Sequence, residues 1–116
     1  MYKVKILTKK EKMAVLEFEE LLLKRFPKRI RRLILFGSKA RGESNRTSDL
    51  DILVVVRKNG KRVRHEIASL THEPIAHFGV DLSPIIIEEK EMRGWSPFLE
   101  HIKKEGITLW INKGNL

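Results

Sequence analysis

The chain is expected to adopt an α+β fold, a small mixed β-sheet covered by helices, in a single domain over residues 1–116. Three features lead there. The apolar run from Leu50 to Val56, broken only by Asp51, has the length and β-branched content of a buried strand. Apolar residues recur at near-helical spacing before and after it. The resulting order, helix-strand-strand-helix-strand-helix-strand, leaves too few residues for a doubly wound sheet.

The elements follow in turn. Residues 9–26 form the first helix. Thr8 is its N-cap, with Glu11 at the capping-box position. Val15, Phe18, Leu22 and Phe26 supply its apolar stripe, and Pro27 ends it. A short strand starts at Ile30 or Arg31, ends at Phe36 and closes on Gly37-Ser38. Lys39-Ala40-Arg41-Gly42 can open a short helix, and a polar loop over 43–48 leads into a strand over 49–57. Lys58-Asn59-Gly60 is a turn. Val63, Ile67 and Leu70 place a second helix over 61–77, which Pro74 kinks or restarts and Gly79 ends. Residues 80–87 read as a third strand and 88–92 as a short acidic helix. Ser96 caps another helix, with Pro97 at its first position. That helix runs to Glu105 and stops at Gly106 in the C′ position. Residues 107–111 make a final strand at a sheet edge.

Composition removes several functions. There is no cysteine, which excludes disulfides, thiolate zinc sites and cysteine nucleophiles. No apolar run approaches the length of a membrane span, and residues 1–8 lack the apolar core of a signal peptide. A cytoplasmic protein is expected. The formal net charge is +9, from 24 Lys+Arg against 15 Asp+Glu. Such a surface attracts phosphate, whether of a nucleotide or a nucleic acid. The basic run Lys24-Arg25, Lys28-Arg29, Arg31-Arg32 could track nucleic acid, form a solvated face or dock a protein.

The chemistry concentrates at Asp49 and Asp51. Residues i and i+2 of a strand share a face, with Cα atoms about 6–7 Å apart. Two carboxylates therefore project together from the start of a buried element. Unit charges of like sign about 4 Å apart repel by about 4 kcal/mol at an effective dielectric of 20. A divalent cation, or a pair of them, relieves that repulsion, and Mg²⁺ takes one or two carboxylates plus substrate phosphates. Upstream, Gly37 lets the backbone approach a phosphate, and the Ser38 hydroxyl and nearby N–H groups can bind its oxygens. Alone, Gly-Ser is an ordinary turn; its spacing from Asp-x-Asp gives it meaning.

The stretch Leu35-Phe36-Gly37-Ser38-Lys39-Ala40-Arg41-Gly42-Glu43, followed by Ser48-Asp49-Leu50-Asp51-Ile52-Leu53-Val54, resembles the signature of the DNA polymerase β nucleotidyltransferase superfamily. It is most similar to the minimal nucleotidyltransferases of prokaryotes. Val80-Asp81-Leu82 fits the slot of that family's third carboxylate. The resemblance extends from about Leu33 to Gly106 and implies a polymerase β-like fold. It further implies that Asp49, Asp51 and Asp81 hold two Mg²⁺ ions on the triphosphate of ATP or another NTP. Asp81 would also take the proton of the attacking hydroxyl. Gly37 and Ser38 would position the phosphates. Apart from the resemblance, Arg41 or Arg46 could clamp the triphosphate with a bidentate guanidinium or be surface charge, the second reading being the favoured one for Arg46.

For a lone minimal domain, the resemblance implies a partner in trans, a helical HEPN-type toxin whose tyrosine receives AMP, so that this chain acts as antitoxin. A homo-oligomer is the other way to complete the site. Two further readings remain open, a non-catalytic antitoxin or adaptor that works by contact, and a nucleic-acid-binding domain. Trp95, Phe98 and Trp110 suit a contact surface. His65 and His72 lie seven apart on the second helix, too far for a helical metal pair, and His77 and His101 carry no partner signal.

Overall fold

A computed structural model describes residues 7–42, 49–58 and 60–112. Its elements in chain order are α1 (Lys9–Arg25), β1 (Ile30–Phe36), α2 (Ser38–Arg41), β2 (Leu50–Val56), α3 (Lys61–Ser69), α4 (His72–Phe78), β3 (Leu82–Glu88), α5 (Glu89–Met92), α6 (Pro97–Glu105) and β4 (Ile107–Ile111). The four strands form one mixed sheet in the order β3-β2-β1-β4. β1 pairs antiparallel with β2 and with β4, while β2 and β3 are parallel. The α+β expectation holds.

Both faces of the sheet are covered, which is why β2 reads as a continuous apolar run rather than an alternating one. On one face Leu33, Leu35, Leu50, Ile52, Val54 and Val56 pack with Phe18 and Leu22 of α1 and Ile67 of α3. On the other, Ile34, Phe36, Leu53, Val55 and Ile87 pack with Leu99 and Ile102 of α6. Odd-numbered β2 residues thus face α6, and Asp51 belongs to that series.

The helix boundaries obey local chemistry. The Thr8 hydroxyl accepts the Glu11 N–H at 3.1 Å and the Glu11 carboxylate accepts the Thr8 N–H at 2.8 Å, a complete capping box. Phe26 is the C-cap of α1 rather than its last residue. Ser96 accepts the Leu99 N–H at 3.1 Å and Pro97 opens α6, as the sequence requires. Residues 61–77 are not one helix. The chain breaks at Leu70-Thr71, where the Thr71 hydroxyl donates to the Ala68 carbonyl at 2.7 Å, and α4 starts afresh. Pro74 falls in the first turn of α4, where its missing N–H has no helical acceptor to lose. His65 and His72 therefore lie on different helices. His77 does have a partner: its Nδ1 lies 2.6 Å from Glu17 of α1 and ties α4 to that helix. Asp49 and Arg57 fall just outside β2, and Val80 and Asp81 just before β3. Glu88 caps α5 instead of starting it.

Gly106 caps α6, but with ordinary backbone angles, φ −67° and ψ 145°. Left-handed geometry is not the reason for glycine. A Cβ there would lie 2.5 Å from the Ile102 carbonyl oxygen and 2.7 Å from a methyl carbon of Ile34. The turn from α6 into β4 packs too tightly for any side chain. Among the described residues, no helix is long and apolar enough to cross a membrane. Gly106→Ala is expected to destabilise the protein by about 2 kcal/mol, the usual cost of overpacking. A urea titration with an unchanged midpoint would contradict this packing.

Candidate active site

β1 delivers Gly37 and β2 delivers Asp51 to the same point, because Phe36 and Asp51 are register partners. Gly37 has φ 79° and ψ −158°, a conformation essentially reserved for glycine. It also needs to be glycine for a second reason. A Cβ on Gly37 would collide with the Asp51 Oδ2 and stand 3.2 Å from the Asp51 Cγ. The carboxylate of Asp51 thus lies directly against the backbone of the turn.

Asp51 is partly buried while Asp49 is exposed. Burial pushes the Asp51 carboxyl above its ordinary value of 3.8, the Asp49 charge pushes it the same way, and the Arg41 guanidinium opposes both. Two acids and a cation therefore share one field. Arg41 follows Gly37 through the single turn of α2, and its Nη1 lies 3.4 Å from the Glu105 Oε2 at the end of α6.

Asp81 arrives on the neighbouring strand. The Leu50 N–H donates to the Asp81 carbonyl at 2.9 Å, and the parallel register pairs Leu50 with Leu82 and Asp51 with Ser83. Continued by one residue, that register sets Asp81 level with Asp49, on the α6 side of the sheet. Among the described residues, no three His, Cys, Asp or Glu side chains form a group able to hold a metal. The geometry thus brings Asp49 and Asp51 together over Gly37 and puts the Asp81 backbone beside them, without gathering all three side chains into one shell. Residues 43–48, including Arg46, lie outside the described residues.

The donor set fits a cation. Two carboxylates with Asp51 raised by burial and like charge are the arrangement that a divalent ion relieves. The site also has a support that the sequence reading passed over. Lys39 is buried in α2, and its Nζ meets the Glu11 Oε2 at 2.5 Å with both side chains almost wholly enclosed. Burial pushes the Glu11 carboxyl up. The hydrogen bond from Lys39, the Thr8 backbone N–H, the Lys39 charge and the Thr8 hydroxyl outweigh it and leave Glu11 below its ordinary 4.5. Glu11 was legible only as a capping-box residue; nothing in the spacing tells that its other oxygen reaches across to Lys39.

With that geometry in view, comparison with known proteins decides the family. A family model described as "Nucleotidyltransferase domain" matches residues 15–109. The chain belongs to the nucleotidyltransferase domain family. Its enzymatic class is therefore nucleotidyl transfer. "Putative protein adenylyltransferase MJ0604" of Methanocaldococcus jannaschii is 32% identical over 103 residues, covering 86% of this chain and 98% of that protein. "Putative protein adenylyltransferase MJ1305" of the same organism is 38% identical over 63 residues, covering 52% of this chain and 43% of that protein. Among solved structures, a putative nucleotidyltransferase from Sulfolobus solfataricus superposes with a TM-score of 0.60 at 23% identity, over 90% of this chain and 86% of that one. The structure of a toxin–antitoxin with AMP-PNP gives a TM-score of 0.57 at 25% identity, over 84% and 73%. These matches establish the minimal nucleotidyltransferase fold.

Two outcomes are expected. Glu11→Gln should lower stability by about 3 kcal/mol, because it takes the carboxylate from a buried ammonium. Glu11 sits below its ordinary value when folded. Its contribution is therefore full above pH 4.5 and lost as pH falls through the lower folded value. A wild-type melting temperature for Glu11→Gln would show that the pair is idle. The opposite sign applies at Asp51, whose folded value is raised. Its charge costs stability at neutral pH, so metal-free Asp51→Asn should melt at or slightly above the wild-type temperature. A clear loss of stability would show that the acid is structural.

Proposed function

We propose that this nucleotidyltransferase uses Mg²⁺ to move AMP from ATP to a hydroxyl, the acceptor being a tyrosine of a helical HEPN-type toxin that this chain thereby silences as its antitoxin. The observation that carries the reading is the Asp51 carboxylate seated on Gly37 with Asp49 beside it.

Asp49 and Asp51 would hold Mg²⁺, and two ions are proposed; Asp81, just before β3, is not gathered with them in this structure and would join only by turning its side chain toward them. When bound, the metal supplies Lewis-acid stabilisation to the attacking and leaving oxygens. The chain's own residues do the rest. Gly37 leaves the room that the Asp51 carboxylate occupies against the turn, and Ser38 would offer its hydroxyl to a phosphate oxygen. Arg41 adds a guanidinium for the triphosphate. The acceptor oxygen attacks the α-phosphorus, its proton passes to the Asp81 carboxylate, and the bond to the α–β bridging oxygen breaks. Pyrophosphate leaves with the negative charge.

AMP as the transferred group is supported by the name of the 32% identical relative, which calls that protein an adenylyltransferase. A protein partner is supported by the toxin–antitoxin structure that shares this fold. Trp95, 74% exposed at the start of the α6 segment, and Phe98, which packs edge-on against Phe36 at 5.6 Å, offer that partner an aromatic surface near the acids. A contact-only antitoxin is the competing reading.

Radiolabelled ATP, Mg²⁺ and the protein encoded beside this gene distinguish the two. Label should move to the partner, and Asp49→Asn should reduce transfer by about a hundredfold or more. A stable complex without label would favour contact alone. Label found on a small molecule or on RNA would replace the acceptor and leave the reaction class standing.

A further inference from the structure

The end of the sheet remote from the acids carries a second charged feature. β1 enters at Ile30 and β2 leaves at Val56, and these two are register partners. Seven-residue strands put this end about 20 Å from Gly37 and Asp51. The Arg57 N–H donates to the Arg29 carbonyl at 2.9 Å, which brings two basic segments far apart in sequence side by side. Among the described residues, a groove of about 300 Å³ is lined by Lys28, Arg29, Arg57 and Lys58. Lys28 and Arg29 continue into a second groove of about 440 Å³, bordered also by Arg25, Arg62 and Glu66.

Charge pairing across the two grooves is uneven. Glu66 takes Arg25 at 2.7 Å and Arg62 at 3.3 Å. Among the described residues, Lys28, Arg29, Arg57 and Lys58 have no ion pair, and all four are exposed. Four uncompensated cations around one concavity repel one another, and nothing in the fold requires them there. The nearby aromatic ring is not available for stacking, since Phe26 is buried with the Arg25 guanidinium 5.1 Å from its ring centre. Cations without a stacking platform hold phosphates rather than stack on the unpaired bases of a single strand.

We propose that this groove, distinct from the active site, binds the phosphate backbone of a double-stranded nucleic acid without reading its sequence. A duplex offers one negative charge per about 1.7 Å of axis, the densest ladder available to a compact cluster of cations. The inference does not depend on the nucleotidyl acceptor proposed above.

Fluorescence anisotropy with the full chain in chelator, without nucleotide, tests it. The probes are a labelled duplex of roughly 20 base pairs and its single strand, titrated between about 50 and 200 mM salt. The duplex should bind more tightly, with log K falling against log salt at a slope of about −3.5, as four phosphate contacts require. The double variant Arg57→Ala/Lys58→Ala should weaken binding about tenfold or more and roughly halve the slope, with nucleotidyl transfer and thermal melting unchanged. Lys103→Ala/Lys104→Ala, on α6, should change neither. Equal loss in both double variants would mean diffuse attraction to net charge and overturn the proposal. So would preference for the single strand. Competition by polyglutamate as effective as by duplex would assign the groove to an acidic protein, and competition by tripolyphosphate at equal phosphate would assign it to a small anion.

Discussion

The contact of the Asp51 carboxylate with the backbone of Gly37 sets the position of everything around it. It exists because Phe36 and Asp51 are opposite each other in the central antiparallel pair. A one-residue slip would turn Asp51 to the α1 face, into the packing of Phe18 and Leu22, and would bring Leu50 or Ile52 to the site. The register is held by five buried residues of β1 and six of β2, packed on both faces of the sheet. The apolar core is thus the alignment device of the acidic site. An acid within the most buried strand is destabilising in isolation, and the fold tolerates it at a point where a glycine leaves room.

Around that contact, charge is handled in two ways. Where an ion is enclosed, its partner is enclosed with it: Lys39 meets Glu11, and Glu11 is already fixed by Thr8. The pair joins the start of α1 to α2 and so restrains the turn that follows β1. A buried ion pair is poor evidence of stability but a good means of fixing one arrangement over others. Where charge is left in excess, it is left at the surface and at the ends of the sheet, with acids at one end and bases at the other. The net +9 of the chain conceals this polarity.

Much of this could be read in the residues. The strand at Leu50–Val56, the caps Thr8 and Ser96, and the edge position of β4 follow from local rules and are found. The Gly37–Asp51 relation was legible as a spacing, though not as a contact; only pairing across the sheet turns a gap in sequence into proximity. Two local readings failed for instructive reasons. Val63, Ile67 and Leu70 keep helical spacing up to the point where Thr71 turns back on Ala68, so periodicity could not reveal the break. Gly106 was read as a backbone requirement, whereas its neighbours Ile34 and Ile102 exclude any side chain there. The Glu11–Lys39 and His77–Glu17 partners were out of reach because each joins residues 28 or more positions apart through tertiary packing.

The edge strand β3 has a consequence for self-association. Among the described residues β3 has β2 on one side and no strand on the other, and Pro84 sits within it opposite Ile52. Proline is accepted inside a sheet where its missing donor faces the open side. A strand laid along that side would meet an interrupted ladder. The outer side of β4 holds no proline. Endless head-to-tail stacking of sheets needs both edges, one offered to the next copy and one accepting the last. With β3 interrupted, sheet extension in this molecule can close as a two-fold pair through β4 but is opposed from propagating into a fibre.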